Sequence, residues 1–275
     1  MLKKIMTLML VIFSSFMFIG CSSDNASSSS TQNTKEEVPV PANEFYLVCA
    51  NPKEYKGRTV EFYGKVFVEP EKDSEGTYLQ VFTLEQGSDG NTLVGIKDPN
   101  IDISQGDIVY VRGTVGDVHE GTNMFGANIQ APSILATLVE KSDYVTAFAP
   151  AIKVIEVNQE INQHGYSMTL ERVEIAETET RAYLKIKNDS SSNIYFYSFD
   201  STITQGANQI SQQDNWEANY PEINSEILPG IVSDGVVTFA PINVDGENIK
   251  LVFEGSSDDY EVEFEPFTFE CSLNQ

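Results

Sequence analysis

Alternation of apolar and polar residues with a period of two runs through almost the whole chain after residue 57, the spacing of half-buried strands. Residues 59–68 place Val60, Phe62, Val66 and Val68 on one side. Residues 77–84, 92–96 and 108–115 repeat the pattern, and a fifth strand is expected from 127–129 and 134–139, split by Pro132. Gln86-Gly87-Ser88-Asp89-Gly90-Asn91 has the chemistry of a hairpin loop. One helical stretch precedes them. Over residues 43–55, Phe45, Val48, Cys49 and Pro52 form a stripe at i, i+3, i+4 and i+7, and Asn51-Pro52 should end it. In the second half the strands are 167–176, 182–186, 194–199, 235–239, 249–253 and 260–264. Between Leu170 and Val173 the apolar parity shifts, which predicts a bulge. The prediction is an all-β chain: a small five-stranded barrel with a short helix, then an Ig-like β-sandwich.

The first 20 residues read differently. Met1-Leu2-Lys3-Lys4 is basic, and residues 5–20 are apolar apart from Thr7, Ser14 and Ser15. As a helix that run is about 24 Å long, short of a ~30 Å hydrocarbon core, so it reads as an export signal and not as a spanning helix. It ends Phe18-Ile19-Gly20-Cys21-Ser22-Ser23, which resembles the bacterial lipobox. That resemblance implies cleavage before Cys21 and acyl chains on its thiol, a palmitate-bearing anchor to the membrane. The alternative is an ordinary secretory signal with Cys21 there by accident. Residues 21–41 are rich in Ser and poor in apolar side chains, and read as a disordered tether reaching roughly 25 Å. The remaining boundaries are a barrel over 42–143, a linker or first strand over 144–165, and the sandwich over 166–275.

Two further resemblances rest on motifs. Asn51-Pro52-Lys53-Glu54-Tyr55-Lys56-Gly57-Arg58-Thr59-Val60, Gly64-Lys65-Val66 and Gly106-Asp107-Ile108-Val109-Tyr110-Val111-Arg112-Gly113 resemble OB-fold proteins of the tRNA-anti-like type. The family name describes a barrel and carries no implication of tRNA binding. Gly165-Tyr166-Ser167-Met168-Thr169-Leu170, Thr180-Arg181-Ala182-Tyr183-Leu184-Lys185-Ile186-Lys187-Asn188 and Leu228-Pro229-Gly230 with Gly235-Val236-Val237-Thr238-Phe239 resemble the DUF4352 domain. That resemblance implies an Ig-like fold common on lipoproteins of Gram-positive bacteria, with no catalytic motif to carry over. The single tryptophan, Trp216, has only Cys271 after it, so the antibody-type Cys…Trp…Cys pin is absent.

Charge narrows the partners. Lys and Arg number 17 against 41 Asp and Glu, a net charge of −24. Affinity for nucleic acid rests on bases neutralising phosphates, so no nucleic-acid partner is expected. Loss of Lys3 and Lys4 with the signal leaves the rest more acidic still, so acyl chains and not surface charge would hold it to an anionic membrane.

Candidate chemistry is sparse. His119 and His164 lie in different halves, both in polar, turn-like contexts, and no nucleophile-and-base pair converges. Asp98, Asn100 and Asp102 have the opening spacing of a calcium loop, but Ile103 and Val109 stand where its Gly and bidentate Glu belong, so a polar turn is expected. Glu261, Glu263 and Glu265 are expected on one strand face, either as a solvated edge or as a cation-binding stripe. Cys49 reads as a buried thiol, with a Cys49–Cys271 disulfide as the alternative. No catalytic residue, metal site or cofactor is assigned. Tyr63 and Phe67 should point out of the barrel, with Tyr78 and Phe82 on the next strand, forming a stacking face for a sugar or peptide or a surface packed against the second half.

The expectation is a non-enzymatic, lipid-anchored binding or scaffolding protein on the outer face of the cytoplasmic membrane, its partner an envelope protein or glycan. A solute-binding lipoprotein of a transporter would show βα alternation around a hinge. An accessory protein of a cell-wall-active enzyme would set two carboxylates across a cleft.

Overall fold

Period-two alternation does produce strands, and the protein is all-β. The structure, a computed structural model, describes residues 38–83, 90–122 and 128–273. The export signal, Cys21, most of the tether and most of the Gln86–Asn91 loop lie outside the described residues.

In the first half, a short helix α1 (Phe45–Ala50) precedes six strands: β1 (Thr59–Val66), β2 (Glu71–Lys72), β3 (Thr77–Phe82), β4 (Asn91–Ile96), β5 (Ile108–Thr122) and β6 (Asn128–Ser142). β1 alternates strictly, burying Val60, Phe62 and Val66. The sheet runs β1-β5-β6-β4-β3-β2, and β1 also pairs with β3, so five strands close into a ring. Every pairing is antiparallel except β4 with β6. Closure demands a close approach at Gly64, where a Cβ would lie 2.3 Å from the Val81 side chain and 2.8 Å from the Phe82 carbonyl oxygen. Inside the ring, Phe45 of α1 stacks on Phe62 at 3.9 Å.

Several details differ from the sequence expectation. Val40, assigned to the tether, is buried and exchanges backbone hydrogen bonds with Thr59 and Glu61. The helical stretch ends at Ala50, as Asn51-Pro52 predicts, but does not reach residue 55. Pro132 does not split the fifth strand: β6 is continuous through it. The pairing with β4 begins only at Ser133, opposite Leu93, so on that side Pro132 has no ladder bond to lose.

A connector follows. Asp143 caps α2 (Tyr144–Phe148), its carboxylate accepting from the Thr146 backbone N–H at 2.8 Å and from the Thr146 hydroxyl at 3.0 Å. Residues 144–165 are then largely β7 (Ala151–Gln163), a full strand and not a linker.

The second half continues with β8 (Tyr166–Ala176), β9 (Thr180–Asn188), β10 (Ile194–Phe196), β11 (Thr202–Gln205), β12 (Asn208–Ser211), β13 (Glu226–Ile227), β14 (Val232–Phe239), β15 (Ile249–Phe253), β16 (Gly255–Ser257) and β17 (Phe267–Cys271). Two four-stranded sheets form, β14-β9-β8-β7 and β12-β11-β15-β17, with a three-stranded one, β13-β10-β16. The bulge lies where the parity shift predicts it, between Leu170 and Arg172. Leu170, Leu184, Ile203, Leu251, Phe253, Phe267 and Phe269 belong to one buried cluster, separate from that of the ring. Strand β10 stops at Phe196 because a 3-10 turn over Ser198–Asp200 follows. Residues 260–264 are not a strand: they find no pairing partner, and Tyr260 is 94% exposed. Glu261, Glu263 and Glu265 therefore share no strand face.

Candidate functional site

The four aromatic residues expected to form one face do not stay together. Tyr63 points outward from β1 and meets Tyr110 of β5, ring centroids 5.2 Å apart. Burial and a hydrogen bond to Glu61 push the Tyr110 phenol up from its ordinary value. Phe67, just past β1, stacks on Phe82 at 3.8 Å. Tyr78 stands on the same outward side of β3 as Phe82, but roughly 13 Å along the strand, beside Gly95.

Tyr63 instead enters a cleft. Helix α2 packs against β1 and β5. Between α2, the start of α1 and the β8–β9 turn opens a depression of about 430 Å³, within the size range of small-molecule sites. Its walls are largely apolar: Phe45, Tyr46, Tyr63, Phe148 and Ile152 contribute to them. Thr83 also lines it, and the buried Thr83 hydroxyl oxygen has no hydrogen-bond partner among the described residues. Glu177 is the one charged residue of the lining among the described residues.

Directly behind α2 the chemistry reverses. Arg181 of β9 is wholly buried. It donates to Glu174 through Nε at 3.1 Å and Nη2 at 2.9 Å, and through Nη1 to Glu179 and to the Ala149 carbonyl, both at 2.8 Å. Arg172 donates to Glu174 at 2.8 Å and Tyr183 does so at 2.9 Å. The Arg172 guanidinium lies 3.4 Å from the centre of the Tyr183 ring. Glu179 also accepts from Tyr220 and, at 2.7 Å, from Asn215. Tyr220 in turn makes an edge contact with Tyr144 of α2. Two arginines and two glutamates balance, so their burial leaves no net charge. Burial opposes ionisation of Glu174, but the bonds from Arg172, Tyr183 and Arg181 outweigh it and hold the carboxyl below its ordinary value. Burial likewise disfavours the Arg181 charge, yet the bond to Glu179 and its other partners carry the pKa upward. This network ties connector, sheet and the 212–225 loop together. The same loop reaches the ring, where Glu217 pairs with Lys65 of β1 at 2.5 Å.

Other candidates have local explanations. His119 and His164 are both exposed, His164 at a positive φ of 54° in the β7–β8 turn. Asp98 forms a turn, accepting from the Asn100 N–H at 2.9 Å, and the Asp102 side chain is 98% exposed. Among the described residues no group of three or more His, Cys, Asp or Glu is placed to hold a metal. Cys49 and Cys271 are unpaired and belong to the two different cores. Burial pushes both thiols up to about 11. A smaller depression of about 290 Å³ beside β5 is lined by Lys53 and Lys56, already paired with Glu120 and Asp117. No helix among the described residues is long and apolar enough to cross a membrane.

No family model matches the chain, and no curated protein does. Among solved structures, a functionally unknown protein of Listeria monocytogenes EGD-e aligns at 8% identity and a TM-score of 0.34, covering 45% of this chain and 86% of that one. A protein of Leishmania major Friedlin, provisionally assigned as an aspartyl-tRNA synthetase, aligns at 9% identity and a TM-score of 0.28, covering 60% and 50%. Likenesses this distant carry no functional argument.

Proposed function

We propose that this chain is a lipid-anchored, cell-surface binding protein without enzymatic activity, which holds its ligand in the cleft beside α2. The observation that carries the binding role is the cleft itself: aromatic walls, a threonine hydroxyl without a partner among the described residues and one carboxylate, beside a polar network. A hydrolase of wall polymers works with two carboxylates flanking its substrate, and Glu177 is the sole carboxylate in the described lining.

The anchor rests on Cys21 closing an apolar run after a basic start, with a polar tether behind it. The closed ring, with β4 and β6 parallel, supports reading residues 42–143 as an OB-type barrel of the tRNA-anti-like kind. The two four-stranded sheets support an Ig-like reading of residues 166–275, of the DUF4352 kind on its motifs.

The test has two arms. In a bacterium that processes lipoproteins, the full chain should take up labelled palmitate and the Cys21→Ala chain should not. An unlabelled, uncleaved wild-type chain overturns the anchor. Titration with envelope peptides and wall oligosaccharides should find a ligand whose binding Tyr63→Ala abolishes. Binding indifferent to Tyr63→Ala overturns the cleft as the site.

A further inference from the structure

The cleft has an electrostatic sign, and that sign selects a class of ligand. No Lys, Arg or His contributes to its described lining, while Glu177 does. Tyr46 and Tyr63 both line it, and Tyr46 is 45% exposed. A phenol ring is negative on its face, so it attracts a cation placed over it. The chain as a whole carries −24, which raises the local concentration of cations and depletes anions. Phe148 and Ile152 provide apolar surface for a hydrocarbon body.

Resting on the reading of the cleft as the binding site, we propose that its ligand is an organic ammonium cation. The cationic head sits among Tyr46, Tyr63 and Glu177, and the apolar body lies against Phe148 and Ile152. A simple metal cation does not fit this chemistry, because one carboxylate among aromatic walls cannot replace the oxygen shell that a hard ion requires. An anionic ligand would meet Glu177 and aromatic side chains, with no base in the described lining to receive it.

Three probes with one aromatic body separate the possibilities: benzyltrimethylammonium, benzyl alcohol and benzenesulfonate. The full chain, in a neutral detergent at low salt, is titrated with each and followed by saturation-transfer NMR. The ammonium is expected to bind about fivefold or more tightly than the alcohol, and the sulfonate weakest. Glu177→Gln should weaken the ammonium about threefold to tenfold and leave the alcohol unchanged. Tyr63→Leu should weaken both, and Glu263→Gln, a surface acid away from the cleft, should weaken neither. Raised salt should weaken the ammonium alone.

Equal affinity for ammonium and alcohol, with both sensitive to Tyr63→Leu, overturns the cationic class and leaves the cleft as the site. An equal loss on Glu263→Gln and Glu177→Gln reduces the effect to the general field and also overturns it. Binding of none of the three, or binding unaffected by Tyr63→Leu, overturns the cleft reading as well.

Discussion

Two regions share the α2 connector and follow opposite rules. On one side the cleft is apolar and open, and contains a buried hydroxyl with no partner among the described residues. On the other, Arg181 is fully enclosed, and three of its contacts are charged or phenolic side chains. The polar side is closed and satisfied; the apolar side is incomplete. A buried charge network loses heavily when one member is removed, because the others keep their desolvation cost without compensation. A cleft loses less when an exposed wall residue such as Tyr46 changes, because water already reaches that side chain. The network can therefore hold the connector in place, while the cleft keeps capacity for something outside the chain.

The largest expected effect tests the closed side. Arg181→Leu leaves Glu179 without its cation and Glu174 with Arg172 alone, and should cost about 3–5 kcal/mol of stability in urea denaturation. A loss below about 1 kcal/mol would mean that the network is not what fixes the connector. Next comes acid. The folded-state pKa of Glu174 lies below its ordinary value, so the unfolded chain binds more protons as pH falls. Its contribution is fully present well above the ordinary carboxylate range and is lost as pH falls through that range to the lower folded value. Melting temperature should fall across that window, and Glu174→Gln should flatten the slope from an already lowered starting point. A variant with the wild-type slope would assign acid sensitivity to other carboxylates.

On the open side, Thr83→Val removes the orphan hydroxyl while keeping the shape. It should raise stability by about 1 kcal/mol, read as a higher urea midpoint at constant slope. A clear loss would show that the hydroxyl does have a partner in solution. The smallest effect is expected at Lys65–Glu217, where both ends are partly exposed. Glu217→Ala should change stability by about 0.5 kcal/mol or less at physiological salt.

What the sequence made legible follows the same division. Strands such as β1 and β15 could be read because burial on one face forces alternation, and the bulge at Leu170 could be read because it breaks that parity. Residues 260–264 alternate equally well, but alternation cannot say whether a partner strand exists, and here none does. Pro132 was misleading for the converse reason: its missing donor matters only where a neighbour is waiting for it. Alternation along β1 turns Tyr63 away from the buried face, yet the cleft around it depends on how α2 and the β8–β9 turn come to rest. The Arg181 network was hidden because it needs a register, Glu174 opposite Arg181, and a tyrosine 39 residues further on. Thr180-Arg181 in an otherwise apolar alternation was the one available signal, since an arginine at a strand start usually passes for a solvated residue.

The parallel pairing of β4 with β6 sets an order on events as the chain emerges from synthesis. Ring closure requires residues 133–136 beside residues 93–96, with β5 already threaded between them in sequence. Until then the nascent polypeptide carries the outer edge of β4 unmatched, and no local hairpin can cover it. Such long-range closure is slow and leaves a window for wrong pairing. A fragment truncated before residue 133 should therefore be handled by the cell as an aggregation-prone, chaperone-dependent species rather than as a smaller version of the ring.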